Sequence, residues 1–173
     1  MNLNAFSEKD EFWMNYSLSL AASAASCGEV PVGAVVICDG RLISTGFNLR
    51  EKLKLPSAHA EFLAIAEASS VLQRWRLSDC ELYVTLEPCL MCAGLIHQSR
   101  LKRVIFGALD PKGGALGSLY SVHQDQRLNH RYIAEGGCLA PSAAQLLSQF
   151  FVQRRTQRLE QKRLLAHASK GSL

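Results

Sequence analysis

Two hydrophobic spacings alternate along this chain, and the switches between them mark its elements. From Ser7 onward, Phe12, Trp13, Tyr16 and Leu20 recur three and four apart, which predicts a helix with one buried face running to about Ala25. Ser7 and Asp10 have capping-box spacing, with Asp in place of Glu, and Gly28 is placed to stop the helix. Residues 31–38 are β-branched and nearly all apolar, so they read as a central strand. Asp39-Gly40 is a two-residue hairpin signal, with residues 41–47 as the return strand. A polar loop over 50–55 then leads to Pro56.

The helical period returns at His59 and runs to about Ser70, with Phe62, Leu63, Ile65 and Ala66 as the apolar face. Residues 80–86 predict a second inner strand, 89–99 a helix entered at Pro88, and 102–107 a third buried strand. The connection from 108 to 129 is long and holds Gly113, Gly114 and Gly117; loops of that length in compact domains are often functional. Residues 131–134 suit a short further strand. A long helix follows from Pro141 through Leu146, Leu147, Phe150, Phe151 and Leu159. This order predicts an α/β fold, with helices layered over a mixed sheet, in a single domain spanning 1–173 and ending in a basic helix and tail from about 142.

Composition narrows the setting. The chain has 173 residues, of which 48% are hydrophobic, enough for a substantial core. No run of 18 apolar residues occurs, so no membrane-spanning helix is expected. The polar, acid-bearing start is unlike a secretory signal, so a cytoplasmic location is expected. The six cysteines, Cys27, Cys38, Cys80, Cys89, Cys92 and Cys138, are not read as disulfides in a chain of this size. Only Cys89 and Cys92 have ligand spacing, and the other four are taken as small apolar residues. Net charge is +4, which alone implies no partner. Its distribution is more telling. After Phe150 come Arg154, Arg155, Arg158, Lys162, Arg163 and Lys170 against the single acid Glu160, a pattern that suits a phosphate backbone or, equally, a solvated helix face.

The chemistry concentrates in Pro56-Ser-Ala-His59-Ala-Glu61 and Thr85-Leu-Glu-Pro88-Cys89-Leu-Met-Cys92. One imidazole and two thiolates form a zinc-binding set that leaves a fourth position without a protein ligand, as catalytic zinc sites do. Cys89 and Cys92 lie three apart in the first turn of a helix, where the dipole favours thiolate. A redox dithiol would leave His59 and Glu61 unexplained. A closed structural site would need His97, which lies five residues past Cys92 and points elsewhere. Zinc lowers the pKa of its water to about 7. Glu61, not needed as a ligand, is placed to shuttle the proton.

This pattern resembles the zinc-dependent nucleobase deaminases, whose signature is His-X-Glu followed by Pro-Cys-X-X-Cys. More closely, the chain resembles the bacterial tRNA-specific adenosine deaminases. The likeness lies in Phe12-Trp13-Met14, Glu29-Val30-Pro31-Val-Gly-Ala-Val35, Gly46-Phe-Asn48, Ala58-His-Ala-Glu61 and the stretch from Leu82 to Gly94. It continues through Arg103-Val-X-Phe-Gly-Ala108, Asp110-X-Lys112, Asn129-His-Arg131 and Leu146-Leu-Ser-X-Phe-Phe151. It covers about residues 8 to 160 and leaves the last dozen unmatched.

The resemblance implies a three-layer cytidine-deaminase-like domain with a mixed sheet of about five strands. It implies one zinc ion per subunit on His59, Cys89 and Cys92, with Glu61 as proton shuttle. Asn48 and the Ala60 backbone would hold the flipped base, Glu29, Val30 and Pro31 would form a pocket wall, and Leu86 would line it. Asp110 and Lys112 would meet the anticodon loop. The implied substrate is the wobble adenosine of an arginine tRNA anticodon stem-loop, converted to inosine, and the implied assembly is a homodimer. Two other readings share parts of the pattern. A deaminase of a free base or nucleoside, of guanine or cytosine type, needs neither the basic helix nor the Asp110 loop. A non-catalytic RNA-binding subunit need not keep Glu61.

Overall fold

The computed structural model describes residues 6–170. Five strands form one mixed sheet: β1 (Gly33–Cys38), β2 (Arg41–Phe47), β3 (Cys80–Leu86), β4 (Arg103–Ala108) and β5 (Ile133–Gly136), in the spatial order β2-β1-β3-β4-β5. β1 is antiparallel to both β2 and β3, whereas β3, β4 and β5 run parallel. The β1–β2 hairpin turns at Asp39 and Gly40, both with positive φ, as the Asp-Gly signal requires.

Alternation along the inner strands builds two cores. Val35, Ile37, Tyr83 and Ile105 face one side, against Met14 of α1 (Glu8–Ser26). Val36, Leu82, Val84, Val104 and Phe106 face the other, against Ala60, Ala64 and Ala68 of α3 (Ala60–Val71) and Ala93 and Ile96 of α4 (Leu90–Gln98). The last helix, α5 (Ala140–Lys170), lies beside α1 and packs Ala143 near Gly107 of β4. The result is a three-layer α/β/α arrangement. Strands buried on both faces read as continuous apolar runs, which is why β1, β3 and β4 were visible in the sequence.

Several expectations shift in detail. The capping box at Ser7 and Asp10 forms as expected. The buried face of α1, however, is Asp10, Met14, Ser17, Ala21 and Ala24, while Phe12 and Tyr16 are exposed. Small residues let the helix approach the sheet closely, and Asp10 is buried because it has ionic partners. In α3 the buried residues are Ala60, Glu61, Ala64, Ile65 and Ala68; Ala66 is exposed and His59 is the N-cap. The polar loop contains a one-turn helix, α2 (Arg50–Leu53), closed by Lys54 at positive φ. The last strand begins two residues later than its β-branched signal. Cys38, Cys80 and Cys138 are buried, but Cys27 is exposed. In the second half of α5 residues 151–162 are all exposed, with Phe151 and Arg155 bordering a groove shared with Val30 and Leu86. Residues 1–5 and 171–173, and the side chains of Arg163 and Lys170, lie outside the described residues.

Candidate metal centre and active site

Two helix N-termini and one strand end converge on the site. His59 is the N-cap of α3 and Glu61 lies in its first turn. Cys89, three residues past the end of β3, is the N-cap of α4, and Cys92 lies in its first turn. The approach of α3 to the hairpin depends on Gly46 of β2: a Cβ there would lie 2.3 Å from the Ala60 carbonyl oxygen. Any side chain at Gly46 would push the first turn of α3, and with it His59 and Glu61, away from the sheet.

The sulfur atoms of Cys89 and Cys92 lie 3.7 and 3.6 Å from His59 Nδ1. A tetrahedral zinc with Zn–S of about 2.3 Å and Zn–N of about 2.1 Å demands an S···N separation of roughly 3.6 Å. Both sulfur–nitrogen separations therefore match a zinc tetrahedron, and the three donor atoms all lie within 4.8 Å of one another. Among the described residues this group contains only these three, so the fourth corner faces the cleft without a protein ligand. Of the three donors, Cys89 is the readiest for a cation. A hydrogen bond from the Cys92 thiol, together with His59, lowers the Cys89 pKa to about 4, so this sulfur is a thiolate. His59 is raised, chiefly by its hydrogen bond with Cys89. The contact with Cys89 and burial push the Cys92 thiol up, so metal binding there must displace a proton. Burial raises the Glu61 carboxyl above the usual carboxylate range, toward the range in which a group can both take and return a proton.

A cleft of about 170 Å³ opens on these groups. It is lined by His59, Ala60, Glu61 and Cys89 at its base and by Val30, Asn48, Leu86 and Asp110 on its walls. Cys92 sits behind the cleft, fully buried. Lys112 lines a neighbouring groove together with Phe151 and Arg155. Two further sequence candidates do not line the cleft. Pro31 precedes β1 without reaching it. Glu29 is 1% exposed and works from behind the wall: Oε2 accepts from Asn48 Nδ2 at 3.1 Å, and its two oxygens accept the Glu51 and Lys52 amides at 3.2 and 2.7 Å. Because a carboxylate only accepts, this contact fixes which way the Asn48 amide faces.

The structure also adds residues that sequence reasoning missed. Val32 and Arg50 line the cleft. Glu87 is 1% exposed and collects four donors from the long loop: the amides of Asp110, Leu116 and Ser118, and the Ser118 hydroxyl. Burial works to raise its pKa, but the Ser118 hydroxyl and the three amides outweigh it and keep the carboxylate ionised. The loop is further docked by the Ala115 amide, which donates to the Pro88 carbonyl at 2.8 Å. The Asp110 carboxylate accepts the Lys112 and Gly113 amides, so its side chain shapes the loop as well as facing the cleft. The only local sign of Glu87's role was a carboxylate wedged between a buried strand and Pro88; its partners are too far along the chain to be read from pattern. His97 is buried and pairs its ring with His130, away from the metal donors. His123 is part-buried beside Tyr132.

The family model for the cytidine and deoxycytidylate deaminase zinc-binding region matches residues 7–108. The tRNA-specific adenosine deaminase of Haemophilus influenzae is 46% identical over 164 residues, covering 94% of this chain and 95% of its own. The Bacillus subtilis tRNA-specific adenosine deaminase is also 46% identical, over 83% of this chain and 89% of its own. Among solved structures, one from a study of A-to-I editing by tRNA:A34 deaminases at the wobble position superposes with a TM-score of 0.76. It is 39% identical and covers 79% of this chain and 99% of that one.

Proposed function

The chain belongs to the cytidine and deoxycytidylate deaminase zinc-binding family and, within it, to the tRNA-specific adenosine deaminases, and we propose that it converts the wobble adenosine of a tRNA anticodon loop to inosine. The reaction is hydrolytic: water adds at C6 of the purine, the C6–N6 bond breaks, and ammonia leaves.

Zinc held by His59, Cys89 and Cys92 supplies Lewis acidity that lets a water molecule ionise near neutral pH. The rest of the work falls to the protein. Glu61 takes the proton that water gives up, delivers it to purine N1, and passes the second proton to the departing amino group. Its buried position supports this role, since a carboxyl with a raised pKa can both accept and return a proton. Asn48, with its amide orientation set by Glu29, hydrogen-bonds the base, assisted by the Ala60 backbone. Val30 and Leu86 pack against the base and exclude water.

The observation that carries the tRNA reading is the continuity between the cleft and a cationic groove. Val30, Leu86 and Asp110 line both, and beyond them the groove is walled by Lys112, Phe151 and Arg155. A free nucleoside needs no such extension, whereas an anticodon loop delivers neighbouring nucleotides and phosphates to it. The family likeness supports a homodimer with one zinc per subunit, an arginine tRNA as substrate and a cytoplasmic location. No helix among the described residues is long and apolar enough to cross a membrane. The test is incubation with total tRNA followed by sequencing for adenosine-to-inosine change at the wobble position, with ammonia release from free nucleosides measured in parallel. Preferential turnover of free guanine, cytosine or adenosine would overturn the tRNA assignment.

A further inference from the structure

A second cluster of metal-ligating side chains lies at the other end of β3, roughly 20 Å of strand away from the cleft. Cys38, the last residue of β1, is paired in register with Cys80, the first residue of β3. Both are buried, and the Asp79 carboxylate completes the group; the three ligand atoms all lie within 4.8 Å of one another. The Cys80 thiol donates to Asp79 Oδ1 at 3.5 Å. Arg74 closes the outer side. Its Nη2 donates to the two Asp79 oxygens at 2.6 and 2.7 Å and lies 3.9 Å from Cys38 Sγ. The side chains of Arg74 and Asp79 are 40% and 43% exposed, so the cluster is reached from solvent while its sulfurs stay sheltered.

We propose that Cys38, Asp79 and Cys80 form a second metal site, for a soft divalent ion such as Zn²⁺ or Cd²⁺. Two sulfurs and a carboxylate oxygen are a donor set that such ions accept. Two sulfurs bonded to one ion at about 2.3 Å each cannot stand more than roughly 4.6 Å apart, a separation this cluster reaches with at most a small side-chain rotation. Binding breaks two S–H bonds, releases two protons to solvent and forms two sulfur–metal bonds. Two thiolates, one carboxylate, one divalent ion and the Arg74 guanidinium then sum to zero charge. Arg74 thus keeps its place as a partner that orients the carboxylate ligand. A monovalent ion would leave a net negative charge in the same shelter. The site is independent of the catalytic centre in sequence and in space, and water completes its coordination from the exposed side.

The experiment starts from the zinc-loaded protein, incubated with excess Cd²⁺ and freed of unbound ions by gel filtration, with both metals then counted per subunit. The expected result is that the zinc is retained and one cadmium is gained, with an ultraviolet sulfur-to-cadmium charge-transfer band. In Cys38→Ser/Cys80→Ser that cadmium and its band are lost while tRNA deamination is unchanged. Cys38→Ala, a milder change, loses them equally should the double variant fold poorly. Asp79→Asn keeps both thiols and weakens cadmium binding about tenfold or more. The proposal is overturned if the wild type gains no cadmium, if cadmium enters only as zinc leaves, or if the variants bind it undiminished. It is equally overturned if the purified protein carries Cys38 and Cys80 as a disulfide.

Discussion

Glu87 and Gly114 meet with no room between them: a Cβ on Gly114 would lie 2.3 Å from the carboxylate carbon of Glu87. The contact joins the turn that carries Cys89 to the loop that carries Asp110 and Lys112. The four donors that Glu87 collects come from the same loop, so the cleft wall is anchored to the end of β3.

Gly114→Ala therefore forces the loop to lift or the carboxylate to move. Overpacking of this kind costs about 1–3 kcal/mol. For a chain of this length that lowers Tm by about 2–10 °C. The zinc donors are held by α3 and α4, so metal content is expected to remain at the wild-type level while kcat/KM for tRNA falls. Thermal unfolding and metal analysis on the same sample check both parts, and an unchanged Tm would remove the case for tight packing at this contact.

Glu61→Ala removes the group assigned to move protons but none of the metal donors. Loss of a general acid–base group costs typically 10²- to 10⁴-fold in rate. Single-turnover deamination of a tRNA anticodon stem-loop is expected to fall by about 10²- to 10⁴-fold, with zinc still bound. Substantial inosine formation by a zinc-replete Glu61→Ala protein would rule out the shuttle.

Much of this site was legible because its signals are local. His59 and Glu61 are two residues apart, Cys89 and Cys92 three apart, and both pairs sit at strand–helix junctions that the hydrophobic pattern marks on its own. Glu29 and Glu87 escaped for a physical reason. Each is a buried carboxylate satisfied by groups brought in from distant segments, and no periodicity encodes such a partner. Glu29 reads as pocket wall from its neighbours Val30 and Pro31, yet its side chain turns inward to Asn48 and the first turn of α2. The inward face of α1 escaped for a related reason. Phe12 and Tyr16 carry the apolar period, but the face against the sheet is Met14, small side chains and Asp10. That carboxylate is buried because Arg103 and Tyr83 are there to meet it.

The Asp10 cluster sets an acid limit on stability. Burial works to raise the Asp10 carboxyl's pKa, but hydrogen bonds from Arg103, Tyr83 and Ser7 outweigh it and hold the group well below the usual carboxylate range. Arg103 Nη1 lies 2.7 Å from Asp10 Oδ1, tying α1 to β4. A carboxyl with a depressed folded pKa contributes stability that is complete above its unfolded value of about 3.9 and is lost as pH falls toward the folded value. Denaturant midpoints are expected to hold between neutral pH and about pH 5 and to drop below about pH 4. Asp10→Asn should be less stable by about 1.5–3 kcal/mol at neutral pH, because the buried Tyr83 hydroxyl and Arg103 lose a charged acceptor, although Arg103 keeps Glu135. Its loss on acidification should be correspondingly smaller. Urea titrations of both proteins at pH 7 and pH 3.5 test the sign, and a variant that loses as much stability on acidification as the wild type would refute it.

Arg154 and Arg155 separate RNA contact from the solvated-helix reading of α5. Both belong to the exposed half of the helix, and Arg155 borders the groove that continues from the cleft. Arg154 and Arg155 line an adjoining groove together with Phe150 and Phe151. If these cations meet phosphates, each contact releases counterions, and each one removed lowers the salt dependence of log KM by roughly 0.7–0.9 per decade of salt. The Arg154→Gln/Arg155→Gln protein should therefore show a higher KM for tRNA at low salt and a shallower salt slope, by roughly 1.5 in total. Gln keeps helix propensity close to that of Arg, so Tm should hold within about 2 °C, since exposed substitutions usually change stability little. Zinc content and turnover at saturating tRNA should also hold, because neither side chain reaches the metal donors. Kinetics at several salt concentrations distinguish the two readings. A solvated face predicts an unchanged slope, whereas phosphate contact predicts that the loss of affinity is greatest in dilute salt and fades as salt screens what remains.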